Sequence, residues 1–207
     1  VEYAWFRAFA FLAVNDEATM RIETPRLALH ACNLADLEQL IDDRAGFARR
    51  MRVEIPDDFP VFREGLDWWR RRLRAGDEVG GWGIWIVIRK ADRVVVGDCG
   101  FKGSPNDQHE VEIGYALIEQ ARGAGMGKEL ARGLVDWAFA HDELIAVRAE
   151  TLVDGYASMG VLRSLGMQQV GEYTDPDEGE IVQWRVDRAG YIETVPGAIS
   201  QGSDNIW

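Results

Sequence analysis

Seven consecutive residues carry the first chemical signal in this chain: Arg122, Gly123, Ala124, Gly125, Met126, Gly127 and Lys128. They follow a strand-like segment and open an apolar-striped helix. Glycines at such a junction let main-chain N–H groups converge on an anion, and the helix end adds positive potential. Arg122 and Lys128 bring two cations to the same place. The ligand this predicts carries a pyrophosphate. Two carboxylates precede the turn. Glu110 and Glu112 lie two apart on a strand and therefore on one face. A half-buried carboxylate beside a bound cofactor suits proton abstraction, and Glu112 is the first candidate for such a base, Glu110 the second. Pairing with a nearby arginine is the competing reading for both.

Three glycine patterns compete for the turn. A nucleotide P-loop needs Gly, four residues, then Gly-Lys-Ser/Thr. Here Arg122 occupies the first glycine position and Glu129 the last. A dinucleotide turn needs Gly-x-Gly-x-x-Gly, and Lys128 stands in its last place. Glu150, at the end of the next strand, keeps a weak form of that reading, as an acid that could hold a ribose. The pattern Arg-x-x-Gly-x-Gly is met in full by Arg122, Gly125 and Gly127.

The elements that must position these residues are legible from periodicity. A strand over 26–31 alternates polar and apolar side chains. Asn33 caps a helix with Asp36 in its first turn, followed by Leu34, Leu37, Leu40 and Ile41 at helical spacing. A second helix over 64–75 carries Arg70, Arg71, Arg72 and Arg74, read as a solvated face among nearby acids. Strands over 82–89, 93–102 and 109–117 follow, then a helix over 126–140 with a stripe at Met126, Leu130, Leu134, Trp137 and Ala138. A strand over 145–152, a helix over 158–165, and strands over 167–173 and 180–186 complete the order. The fold class is mixed α/β, with the strands at 109–117 and 145–152 parallel. Residues 1–19 read as an N-terminal extension before Met20, 20–187 as one domain, and 188–207 as a tail with little periodicity.

Composition narrows the function. The chain has 207 residues and a formal net charge of −12. That charge argues against nonspecific nucleic-acid binding, which needs a basic surface. No apolar run is long enough for a bilayer. Two cysteines, Cys32 and Cys99, without a Cys-x-x-Cys pair, favour a reducing, cytoplasmic setting. His30, His109 and His141 lack metal-ligand spacing, so no metal is expected.

At the Arg-x-x-Gly-x-Gly turn the chain resembles the GNAT superfamily of acyl-CoA N-acyltransferases. Glu23-Thr24-Pro25-Arg26-Leu27-Ala28-Leu29 is similar to the opening strand of the branch that includes ribosomal-protein alanine and serine N-terminal acetyltransferases. Glu112-Ile113-Gly114-Tyr115-Ala116-Leu117 is similar to its central strand. Ala157-Ser158 with the 161–167 segment is similar to its late helix and turn. The resemblance spans about residues 22–187. It implies a mostly antiparallel sheet splayed around one parallel strand pair, with helices on its flanks. It implies acetyl-CoA as co-substrate and a primary amine as acceptor, on a protein N-terminus or a small molecule, and is compatible with a homodimer. The pantetheine arm would lie along the central strand, with amides near Leu117 and Ile118 facing the developing oxyanion.

Amine attack requires a neutral nitrogen. Deprotonating a lysine-like amine at pH 7 costs about 4–5 kcal/mol, and an α-amino group about 1–2 kcal/mol. Many family members use a late-helix tyrosine to protonate the leaving thiolate. Leu162 occupies that position here, and Ser158 matches the serine given that role in the resembling branch, with helix capping as its alternative. Gly155 stands where the branch has asparagine. Trp68, Trp69, Trp82 and Trp85 are expected mostly in the core, with one or two against the acceptor site.

Overall fold

In the computed structural model, residues 20–61, 63–77, 79–195 and 197 are described. The expectations for 1–19 and for the tail beyond 197 lie outside them. Two strands open the fold, β1 (Arg21–Glu23) and β2 (Leu27–Ala31). Three helices follow: α1 (Leu34–Asp42), α2 (Arg44–Met51) and α3 (Arg63–Arg74). Then come β3 (Ile84–Arg89), β4 (Val94–Phe101), β5 (Glu110–Leu117) and α4 (Met126–Phe139). The chain continues through β6 (Ala146–Leu152), α5 (Tyr156–Ser164), β7 (Gln168–Asp175), β8 (Gly179–Asp187) and α6 (Arg188–Thr194).

The strands form one eight-stranded sheet in the order β1-β2-β3-β4-β5-β6-β8-β7. Every neighbour pair is antiparallel except β5 and β6, which run parallel. That parallel pairing covers only residues 110–113 against 146–149. Both strands continue past it, so the sheet opens where β5 runs on through Gly114, Tyr115, Ala116 and Leu117.

Helices cover the two faces by side-chain type. Trp85, Cys99 and Tyr115 stand in register across β3, β4 and β5. On that face α4 packs, with Trp137 in edge contact with Trp82 and Trp85 and tilted on Phe101. The predicted stripe of α4 is buried throughout. His30, Ile86, Asp98 and Ala116 form the neighbouring row, pointing to the other face. There Asn33 and Asp36 close a capping box on α1, and buried Asp36 also meets His30 Nε2 at 3.2 Å and Arg50 of α2 at 2.6 Å. Three of the α3 arginines are paired with acids: Arg70 with Asp42 and Asp67, Arg72 with Asp77, Arg74 with Glu38.

Two helices correct the expectation. The sequence reading has no helix at α2, because Arg44, Arg49 and Arg50 surround a buried face of only Gly46 and Phe47. The segment from Arg188, read as an aperiodic tail, forms α6. Tyr191 is fully buried with its hydroxyl 2.8 Å from Asp136 Oδ1, and one buried anchor in seven residues leaves no period to detect. No helix among the described residues is long and apolar enough to cross a membrane.

Candidate active site

The glycine turn sits at the mouth of the opening between β5 and β6. Gly125 is the N-cap of α4 in the left-handed region (φ 76°) and gives the helix no side-chain cap. A Ser or Asp there would engage a first-turn amide. With glycine, the amides of residues 123–128 donate to no acceptor among the described residues. Arg122 N is excluded from this set, since it donates to Glu119 O at 3.0 Å. The Arg122 side chain folds back, Nε donating to Leu117 O at 2.9 Å, and so ties the turn to the end of β5. Lys128 is exposed.

Gly127 bears on whether the turn could take a ligand. Its φ is not in the left-handed region, and a Cβ there would make only ordinary contacts, 3.6 Å to Val161 and 3.9 Å to Leu117. The fold itself does not require glycine at 127. Glycine there would let an anionic group such as a diphosphate approach the amides closely.

A clamp that sequence reasoning missed fixes the turn. Glu129 accepts from Thr24 Oγ1 at 2.7 Å and from Arg26 N and Nε, both at 2.6 Å. Arg26 also donates to Ala124 O at 2.8 Å. Burial works against the Glu129 carboxylate, but these donors outweigh it and hold its pKa below the usual range. The residue that spoiled the P-loop pattern thus anchors α4 to the β1–β2 turn. The signal was available in Thr24-Pro25-Arg26, but nothing in the sequence paired it with a position about a hundred residues away.

The main chain of β5 is oriented toward the opening. Ile118 N donates to Val96 O and Glu112 O accepts from Lys102 N. Antiparallel alternation then turns the amides of Tyr115 and Leu117 away from β4 and into the gap. Of the two amides named near the end of this strand, Leu117's points into the gap, as Tyr115's does, while Ile118's is engaged in the sheet. On the α4 face the Tyr115 hydroxyl crosses to Ser158 O at 3.4 Å. Burial pushes the Tyr115 phenol well above its usual pKa, so it stays protonated. Ser158 is in the first turn of α5 and is not its cap. The cap is Gly155, which offers no side chain, so the capping alternative for Ser158 falls. Leu162 is core, 1 % exposed.

The opposite face carries the acids. Glu112 is ion-paired with Lys102, which also lies 3.4 Å from Glu150. Glu110 is held by Arg185 at 2.9 Å and Arg148 at 3.9 Å, the pairing that competed with a catalytic role. Glu150 accepts from Gln183 at 3.1 Å and Tyr173 at 3.3 Å, which places it in this network and not at the turn. Asp98 lies farther along the same face, and the sequence reading passed over it. Trp69, Trp82 and Trp85 are core, while Trp68 is 40 % exposed beneath the Arg72 guanidinium. Cys32 and Cys99 are buried free thiols that burial pushes up, so neither is a nucleophile.

Comparison with known proteins agrees with this geometry. A family model described as an acetyltransferase (GNAT) domain matches residues 26–168. The uncharacterized N-acetyltransferase YjdG of Bacillus subtilis is 26% identical over 147 residues, covering 70% of this chain and 88% of that protein. A ribosomal L7/L12 alpha-N-protein acetyltransferase, RimL, solved in complex with coenzyme A, superposes with a TM-score of 0.59 at 16% identity, over 81% of this chain and 98% of that one. A Vibrio cholerae spermidine N-acetyltransferase chimera gives 0.59 at 12% identity, over 80% and 98%. The dinucleotide reading is thereby set aside. With a splayed parallel pair, an uncapped glycine turn at its mouth and a matching family model, this chain belongs to the GNAT acetyltransferase family and is an acetyl-CoA-dependent N-acyltransferase.

Proposed function

We propose that the protein transfers the acetyl group of acetyl-CoA to a primary amine by direct attack, the acceptor being a protein N-terminus or a small-molecule amine. The observation that carries this is the row of free amides at residues 123–128 beside an open β5, with Gly127 keeping a space that the fold does not need. Residues 123–128 would hold the diphosphate, Arg122 and Lys128 adding positive charge. The Tyr115 and Leu117 amides would lie along the pantetheine arm and thioester. Acetyl-CoA supplies an activated acyl group, and this chain's residues orient it and exclude water from it. Neighbours named for a ribosomal protein and for spermidine support both acceptor classes.

The amine must give up a proton to a carboxylate on the face opposite α4. Glu112 is the candidate that the strand pattern offers, acting through water once Lys102 is displaced. Ser158, whose main-chain carbonyl accepts from the Tyr115 hydroxyl, is the candidate to relay a proton to the departing sulfur. Calorimetry with acetyl-CoA, followed by thiol release across alanine-initiated peptides, serine-initiated peptides and spermidine, tests the function. Glu112→Gln tests that candidate: lowered turnover with acetyl-CoA affinity unchanged supports it, and unchanged turnover removes Glu112 from the base role. Absence of binding heat would refute the acyl-transfer reading. A second reading, a CoA-binding domain of little activity, draws on core-buried Leu162 and on Gly155. It predicts binding heat with no thiol released.

A further inference from the structure

Among the described residues, one partly buried carboxyl group has a shielded oxygen and no ionic partner. Asp98 is on β4, directly across from Ala116 in the open part of β5. Its Oδ2 is buried and has no hydrogen-bond partner among the described residues, while the residue as a whole keeps part of its surface exposed. Leaving such an oxygen unsatisfied is costly unless something meets it.

Its position explains what would meet it. The Tyr115 and Leu117 amides point into the gap in the plane of the sheet, and α4 and α5 close one face. An incoming acceptor therefore approaches from the other face, where Asp98 points. Asp98 lies one strand spacing, about 5 Å, from Ala116, between those two amides in sequence. Glu112 is four residues back along β5, about 13 Å away. The floor between them is bare: Gly114 is exposed, with nothing within 4 Å of where its Cβ would be. Glu112 is already neutralised by Lys102, and Glu110 by two arginines.

Resting on the acyl-transfer reading, we propose that Asp98 receives the acceptor's ammonium group at the open end of β5 and takes its proton, ahead of Glu112. The ammonium gives one proton to Asp98 Oδ2. The freed nitrogen lone pair attacks the thioester carbonyl carbon and forms the C–N bond. The C–S bond then breaks as a second nitrogen proton passes to sulfur, leaving amide, free thiol and a proton that Asp98 returns to solvent. Burial pushes the Asp98 pKa up to about 7, opposed only by the Val61 main-chain amide. A base so placed is half ionised at neutral pH, where general-base catalysis is most efficient. The titratable groups around it are buried thiols, Cys99 on β4 and Cys32 after β2, together with His30 in the same row, which is held by Asp36. No lysine or arginine pairs with it among the described residues.

The test compares Asp98→Asn with Glu112→Gln in the full chain. With acetyl-CoA and the most active amine of the panel, Asp98→Asn is expected to lose about 100-fold or more in kcat/KM. It should also lose the acidic limb of the pH profile near 7, with acetyl-CoA affinity and melting temperature retained. Because neutral Asn suits a buried site, misfolding is not the expected cause of any loss. Infrared or carbon NMR titration of the wild-type carboxyls, without substrate, should show one group with a midpoint near 7 that is missing in Asp98→Asn. The proposal is overturned if Asp98→Asn keeps turnover within about threefold, if the acidic limb persists in it and disappears in Glu112→Gln, or if no carboxyl titrates near 7. Wild-type protein that binds no CoA thioester would instead overturn the acyl-transfer reading itself.

Discussion

Gly127 separates the demands of folding from those of binding. Where a glycine is forced by backbone geometry, as at Gly125, substitution confuses strain with function. At position 127 a methyl group meets only Val161 and Leu117 at ordinary distances. Gly127→Ala should therefore leave stability within about 0.5 kcal/mol of wild type, or raise it slightly, since alanine is the better helix former. Affinity for acetyl-CoA should fall at least tenfold, about 1.4 kcal/mol. Urea unfolding and calorimetry on the same preparation check both halves, and a variant that binds as tightly as wild type would show that the hollow at 127 is not the diphosphate site.

Among the elements, the decisive join is between the start of α4 and the β1–β2 turn. Glu129 is 13 % exposed at its side chain and gathers Thr24, the Arg26 amide and the Arg26 guanidinium. Glu129→Ala leaves those donors without their acceptor and is expected to cost about 2 kcal/mol of stability, with weaker acetyl-CoA binding because Arg26 no longer fixes the Ala124 carbonyl. The pH dependence has a definite sign. The folded pKa of Glu129 is lowered, so its contribution is fully present above the unfolded value of about 4.3 and disappears as pH falls through the folded value. Wild-type and Glu129→Ala stabilities should converge below pH 4 and differ most at neutral pH. A constant difference across that range would mean the carboxylate is not the stabilising group.

At the scale of the whole molecule, α6 completes the domain that the periodicity ends at 187. Tyr191 fills the core against Phe139 and bonds to Asp136, and Arg188 donates to the carbonyls of His141 at 2.8 Å and Leu144 at 3.1 Å. These contacts hold the loop between α4 and β6, and with it the spacing of the parallel strands. A chain ending at Asp187 should lose about 3 kcal/mol from Tyr191 burial and its hydrogen bonds. Its acetyl-CoA affinity should fall as well, although no residue of the turn is altered. Full stability in the shortened chain, read by urea unfolding, would show that α6 only rests on the surface.

The sequence by itself determined the local objects. Alternation and helical spacing mark the strands and long helices, and Arg122, Gly125 and Gly127 mark a glycine turn opening a helix whatever surrounds them, because glycine geometry is a local property. Short α2 and α6 escaped, since a single buried anchor in a polar segment makes no period. Tertiary structure alone decided where β5 parts from β6, that Glu129 belongs to Arg26, and, among the described residues, which amides are free and that Glu112 has a lysine beside it while Asp98 has no counter-ion. Each of those depends on desolvation and on which distant residue faces which, and a linear order of residue types contains neither.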